Sequence, residues 1–297
     1  MEIKIKQVDA FTSIPFGGNP AGVVTDANAL SDEQKQKIAR EMNLSETAFV
    51  SKSDKADFRV QFFTPGAEVD LCGHATIATF HTLYEEGRLD PSKKIFHQET
   101  GAGVLPVELC NIDREKVYMM TQAVPCFEDP GIDIGELSAM FGLVPEDIME
   151  LPVLKVSTGI WWLVFGMKKL DKLMKMIPNM AAVKEFSRKH KLVGIIPFTP
   201  ETLDPVCSYH IRAFAPYVGV DEDPVCGTCN GCVSSYIADQ GLIQFEREMD
   251  LVGEEGFEVK RPGKVYAHLE KQNGKVAVVK IGGSAFTVLE GTMRVAK

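Results

Sequence analysis

A chain of 297 residues with 45% apolar side chains is long enough for two domains of ordinary size, each with its own core, and is too apolar to be disordered. With 41 acidic against 32 basic side chains the net charge is -9, which opposes non-specific binding to nucleic acid or to anionic membrane, so neither is expected as a partner. No stretch approaches the ~18 apolar residues needed to span a bilayer, and seven cysteines, an odd number, point to reduced thiols in the cytoplasm and not to a disulfide framework.

The opening Met1-Glu2-Ile3-Lys4-Ile5-Lys6 alternates like a strand, and Lys4 to Phe11 is expected to form one. Gly17-Gly18-Asn19-Pro20 is a turn. A helix follows, started by a Ser31/Gln34 capping box and stopped at Asn43. Leu44 to Val50 and Arg59 to Phe63 are expected strands. After a helix from Gly73 to about Glu86, the segments Ile95 to Glu99, Val104 to Leu109 and Val117 to Thr121 form a meander. Beyond a boundary near Gln122–Phe127 come Val153 to Val156, the apolar Ile160 to Phe165, and two helices, of which the second is capped by Asn179 and runs to about His190. Leu192 to Phe198 and Val206 to Phe214 return as strands. A second helix opens at Gly227, Asn273-Gly274 marks a hairpin turn, and the chain ends in strands Phe286 to Leu289 and Thr292 to Val295.

The chain carries one pattern twice. Phe63-Thr64-Pro65 leads to Cys72-Gly73-His74-Ala75, and Phe214-Ala215-Pro216 leads to Cys226-Gly227-Thr228-Cys229; each Cys-Gly opens a run of small residues that stops at a glycine, Gly87 or Gly241. Such a duplication predicts an α+β fold of two pseudo-symmetric lobes, each a curved antiparallel sheet wrapped around a central buried helix. The expected division is 1–124, with 285–297 returning to it, and 125–284. Each helix start, presenting unpaired N–H groups at Gly73, His74, Gly227 and Thr228 and the positive end of the macrodipole, suits a substrate carboxylate in a cleft between lobes.

Three sites are open to more than one reading from the residues alone. Glu46 sits in an apolar strand, where an unpaired carboxylate has a raised pKa suited to general acid–base work; the alternative is a strand end satisfied by backbone N–H groups or a lysine. His74, at a helix start, is expected as a neutral ring, either in the site or as a structural histidine. Asp223 is a helix cap or a pocket carboxylate, while Asp221 and Glu222 read as solvated loop. Cys226, Cys229 and Cys232 have the spacing that opens iron–sulfur and zinc runs, but no fourth ligand follows, so no metal is expected. There is no phosphate loop and no Gly-x-Gly-x-x-Gly fingerprint, so no cofactor is expected either.

Gly18-Asn19-Pro20-Ala21, Asn43-Leu44-Ser45-Glu46-Thr47-Ala48-Phe49, Phe63-Thr64-Pro65, Glu68-Val69-Asp70-Leu71-Cys72-Gly73-His74-Ala75-Thr76, Asp223-Pro224-Val225-Cys226-Gly227 and Gly282-Gly283-Ser284-Ala285 together resemble the phenazine-biosynthesis (PhzF-like) isomerase family, end to end. The resemblance implies the diaminopimelate-epimerase-like fold, usually a homodimer, and an isomerase of small carboxylate-bearing metabolites without cofactor. It implies that Glu46 moves a proton between substrate carbons, with His74, Asp223 and Thr228 in the pocket. Cys72 and Cys226 depart from the phenazine enzymes. Related proline racemases and diaminopimelate epimerases use two such cysteines as acid and base, and helix starts lower a thiol's pKa, so a two-thiol racemase is the alternative reaction. A further alternative is a non-catalytic binding protein that uses the helices around Lys168 to Met176 and Ala181 to His190 as surfaces.

Overall fold

The two glycine-bounded segments form helices of 13 residues each, Gly73–Glu85 and Gly227–Asp239, and the same local signals shape both. Cys72 and Cys226 occupy the N-cap positions in extended backbone. Just past the C-caps, Gly87 and Gly241 turn left-handed with φ of 66° and 67°, a conformation a Cβ would disfavour. Inside the first turn, Thr76 Oγ1 donates to the Cys72 carbonyl at 2.8 Å, and Asn230 Nδ2 does the same to Cys226 at 2.9 Å. Both helices bury small residues on several sides, Ala75, Ala78, Thr79 and Thr82 in one and Gly231, Ser234, Ser235 and Ala238 in the other. Short side chains let a sheet approach and wrap the helix closely.

The computed structural model describes residues 1–296 and divides into two units, Met1–Met120 with Gly282–Lys297, and Thr121–Ile281. In the first, the strand Glu2–Ala10 lies between Ala285–Arg294 and Asn19–Val24, antiparallel to both. Glu46–Ser51 then runs parallel to Asn19–Val24 and antiparallel to Phe58–Phe63. Phe58–Phe63 continues, in parallel, into the meander Ile95–Thr100, Gly103–Ile112 and Glu115–Thr121. On the sheet face away from the Gly73–Glu85 helix, the helix Asp32–Met42 closes a core of Ile5, Leu30, Ile38, Phe49 and Phe63. Its ends match their local signals: Ser31 and Gln34 form the reciprocal capping box, and Asn43 closes the helix at φ 50°.

In the second unit Leu154–Ser157, Trp161–Gly166 and Gly194–Thr199 adjoin in sequence, the last pair parallel, and Gly194–Thr199 pairs antiparallel with Tyr209–Ile211. Tyr209–Ile211 is parallel to Glu248–Glu255, which is antiparallel to Gly263–Gln272. The helices Ile134–Met140, Leu170–Lys175 and Met180–His190 pack Leu137, Leu173, Val183 and Phe186 against Phe165, Ile195 and Phe214. The Leu170–Lys175 and Met180–His190 helices thus lie as an amphipathic pair with their apolar faces on this core, while the exposed faces considered as binding surfaces on sequence carry lysines such as Lys172 and Lys175. Asn273 and Gly274 have φ of 52° and 77°, the pair of positive values a tight type I′ hairpin turn demands.

Three local readings are corrected. The chain ends in one strand, Ala285–Arg294, not two: Glu290 and Gly291 stay in register with Lys6 and Ile5, and the register shift opposite Gln7 and Val8 leaves Val288 as an extra residue without breaking the ladder. Val206 to Phe214 is split at Arg212, which turns its guanidinium onto Glu222 at 2.7 and 2.8 Å and onto the carbonyls of Leu173 and Met176. Glu222 is therefore a partner of a buried arginine and not solvated loop. Glu248–Glu255, unexpected from sequence, is a strand whose consecutive Glu254 and Glu255 are both buried.

Candidate functional site

Glu46 begins its strand, and His74 lies in the first turn of the Gly73–Glu85 helix, one residue past Gly73. The fold of the first unit brings them together. Glu46 Oε2 lies 3.1 Å from His74 Nε2, with the side chains 19% and 12% exposed. Cys72 Sγ is 3.4 Å from His74 Nδ1 and 3.8 Å from Nε2, and Ser45 Oγ is 3.2 Å from Nε2. The imidazole is thus bracketed by a carboxylate, a thiol and a hydroxyl. Glu46 Oε2 is sealed from solvent without a well-aligned hydrogen bond, so its contact with His74 is ionic in character.

The charge states differ from those expected on sequence. Burial alone raises the Glu46 pKa, but the His74 contact, its charge, and hydrogen bonds from Ser45 and Cys72 outweigh it and hold the carboxyl below its ordinary value. For His74, burial acts against the charged ring. The Cys72 sulfur and the Glu46 carboxylate act the other way and hold the ring's pKa well above the usual histidine value, opposite to the lowering expected from the helix dipole. Burial pushes the Cys72 thiol up and outweighs the opposing His74 charge, and the Glu46 charge adds to the rise. A helix start does not activate this thiol, because loss of hydration outweighs the dipole.

In the second unit, Cys226 caps its helix: the sulfur accepts from Cys229 N–H at 3.4 Å and lies 3.3 Å from Thr228 Oγ1. Asp223 is not the cap. It ends the strand Val220–Asp223, paired with Ala213. Gln122 Nε2 donates to the Gly227 carbonyl at 3.2 Å. Cys232 turns away to Thr158 Oγ1 and the Val156 carbonyl, apart from the contact between Cys226 and Cys229.

Sequence reasoning missed Glu255. Its Oε2 accepts from Cys226 N–H at 3.0 Å and from Asn230 Nδ2 at 2.9 Å, while Oε1 is buried without a partner among the described residues. Burial, then the nearby Cys226 and Asp223, drives its pKa well above the usual carboxylate range at the base of the Cys226 cap. Adjacent strand residues face opposite sides. Glu254 accordingly points the other way, to His210 at 2.8 Å and the N–H groups of Leu203 and Asp204. Nothing in Glu254-Glu255-Gly256 signals this, since paired glutamates before a glycine resemble an exposed turn.

The model for phenazine biosynthesis-like proteins matches residues 8–291. An uncharacterized isomerase of Bacillus subtilis, YfhB, is 36% identical over 288 residues, which cover 96% of this chain and 97% of that protein. The crystal structure of a PhzF-family phenazine biosynthesis protein from Bacillus anthracis, also 36% identical, superposes with a TM-score of 0.93 over 99% of both chains. A protein from Pseudomonas aeruginosa described as a predicted epimerase shares the fold at 22% identity, with a TM-score of 0.78 over 98% of this chain and 99% of its own.

Proposed function

This chain belongs to the phenazine-biosynthesis-like (PhzF-like) family and is an isomerase, and we propose that it moves a proton between carbons of a small carboxylate-bearing metabolite, without a cofactor, with Glu46 as the acid–base group. One observation carries the reading: a shielded Glu46 carboxylate aimed at His74, with an oxygen that no aligned hydrogen bond occupies. Once substrate displaces its ionic contact with His74, such an oxygen can take a carbon-bound proton and return it to a neighbouring carbon. The His74 ring beside it, its pKa raised, supplies an N–H donor for negative charge that develops on the substrate. The backbone N–H groups of Gly73 and His74, with the helix's positive end, are proposed to receive the substrate carboxylate. Asp223, Gly227 and Thr228 are proposed as substrate-binding groups of the second unit.

The thiols are the weaker candidates for the proton transfer. Cys72 is held protonated by its burial, which makes it a poor base near neutrality, whereas Glu46 is ionised there. The test is a solvent-deuterium wash-in screen over small carboxylates, followed by NMR. Glu46→Gln is expected to lower exchange by about 10²–10⁴-fold. Exchange that persists in Glu46→Gln and disappears in Cys72→Ser would transfer the role to the thiols.

A further inference from the structure

We propose that Glu46, His74 and Cys72 form a binding site for a single thiophilic divalent cation, Zn2+ in the first instance, and that the bound ion blocks proton transfer. The three side chains offer a carboxylate oxygen, an imidazole nitrogen and a sulfur that all lie within 4.8 Å of one another, and they are the group of His, Cys, Asp and Glu with this compactness among the described residues. Oxygen, nitrogen and sulfur together are the donor set of zinc and not of magnesium or calcium, which take oxygen alone.

The spacing suits a tetrahedral ion. Zinc bonds of ~2.3 Å to sulfur and ~2.0–2.2 Å to nitrogen and oxygen, held at the tetrahedral angle, put sulfur about 3.6 Å from nitrogen and nitrogen about 3.4 Å from oxygen. The corresponding separations here are 3.8 Å from Cys72 Sγ to His74 Nε2 and 3.1 Å from Nε2 to Glu46 Oε2. Shifts of a few tenths of an ångström about side-chain torsions close the difference on these edges. A proton-bridged cluster has similar distances, so spacing alone does not distinguish it. Glu46 Oε2, the carboxylate oxygen of the 3.1 Å edge, is sealed from solvent and meets His74 in an ionic contact without an aligned hydrogen bond. A cation bonded to that oxygen would complete it. Three protein ligands leave the fourth position for water, the arrangement of an open zinc site.

Binding exchanges one ion for protons: the sulfur loses its thiol proton and the ring its second N–H proton, both to bulk water, while the carboxylate enters charged. The ion then holds the oxygen that would take the substrate proton and the nitrogen that would stabilise the developing charge. Inhibition follows from occupancy. This consequence rests on the function proposed for Glu46, whereas the site itself does not.

The experiment titrates the metal-free, full-length protein with Co2+ as a spectroscopic stand-in, and with Zn2+ against a chromogenic chelator. One equivalent should bind and produce a thiolate-to-cobalt charge-transfer band that Zn2+ removes. Cys72→Ser should abolish the band, and Cys226→Ser and Cys126→Ser should keep it. Glu46→Gln, which preserves shape and the thiol, should retain the band and bind at least about tenfold more weakly. A band that survives Cys72→Ser, a band lost in Cys226→Ser, or undiminished affinity in Glu46→Gln overturns the site. Deuterium exchange measured with increasing Zn2+ should fall with the same midpoint as binding. Absence of any exchange in the metal-free protein would sink the proton-transfer reading and leave the cobalt result standing.

Discussion

Replacing Glu254 by glutamine tests whether the buried charge system of the second unit stabilises it in the way its geometry implies. Glu254 is wholly buried and serves three donors: His210 Nδ1 at 2.8 Å and Leu203 N–H at 2.6 Å on Oε1, and Asp204 N–H at 3.0 Å on Oε2. His210, itself buried, also meets Glu258 at 3.0 Å through Nε2. An amide keeps the shape but has one oxygen, so if that oxygen serves His210 and Leu203, the NH2 group confronts the Asp204 N–H. Leaving a buried donor unpaired costs about 1–3 kcal/mol, and breaking a buried charge pair about 3–5 kcal/mol. Because the isosteric amide retains two of the three contacts, we expect a loss of about 3 kcal/mol. Burial lowers the His210 pKa, but Glu254 and Glu258 outweigh it and raise it above 6.5; burial raises that of Glu254, and His210 and the backbone N–H groups lower it below 4.5. The histidine's contribution is therefore complete below 6.5 and fades as pH rises through its raised folded value. The carboxylate's is complete above 4.5 and fades as pH falls through its lowered folded value. The difference between wild type and variant should be greatest between these two values and should narrow on the alkaline side. Both tryptophans, Trp161 and Trp162, belong to the second unit, so urea unfolding followed by their fluorescence reports on the right part of the chain. A difference below about 1 kcal/mol near pH 6, or one that does not change with alkaline pH, would refute this account.

Other outcomes follow from the same physical reading. His74→Phe should reduce deuterium exchange by about 10²-fold while leaving the thermal midpoint within a few degrees, since it removes a donor aimed at developing charge; full exchange in this variant would exclude His74 from the chemistry. Gly253→Ala places a methyl group 2.1 Å from Asn230 Oδ1 and 2.5 Å from the Tyr209 ring, so it should cost about 1–3 kcal/mol in denaturant titration, and a neutral effect would mean that Asn230 yields without loss. We expect the protein to be a homodimer, with the strand Ala285–Arg294, on which Phe286 is 37% and Leu289 51% exposed, near the contact; light scattering that returns 32.7 kDa at micromolar concentration defeats this. Truncation after Gly283 removes that strand from its ladder with Glu2–Ala10 and should destabilise the first unit by several kcal/mol in urea titration, whereas an unchanged midpoint would show the strand to be dispensable.

Much of the fold was legible because its signals act over a few residues. Ser31 and Gln34 cap each other across one helical turn, Asn43 ends that helix by its own tolerance of the left-handed region, and Asn273-Gly274 folds a hairpin through two positive φ angles. The paired Cys-Gly starts and glycine stops at 87 and 241 marked both central helices for the same reason. The catalytic candidates were legible as residue types in motifs, Glu46 and His74 among them, but their charges were not. Those depend on a 3.1 Å contact between residues 28 positions apart, which only the packing of the Gly73–Glu85 helix against its sheet creates, and the contact reversed both expectations. Arg212 with Glu222, Glu254 with His210, and Glu255 beneath the Cys226 cap lay beyond local reading likewise, because burial and partnership of a charged side chain are decided by what the fold brings within hydrogen-bond distance. A local pattern specifies which backbone conformation a segment prefers. The electrostatic state of a buried group is a property of its neighbours, and these are assigned only when the tertiary structure forms.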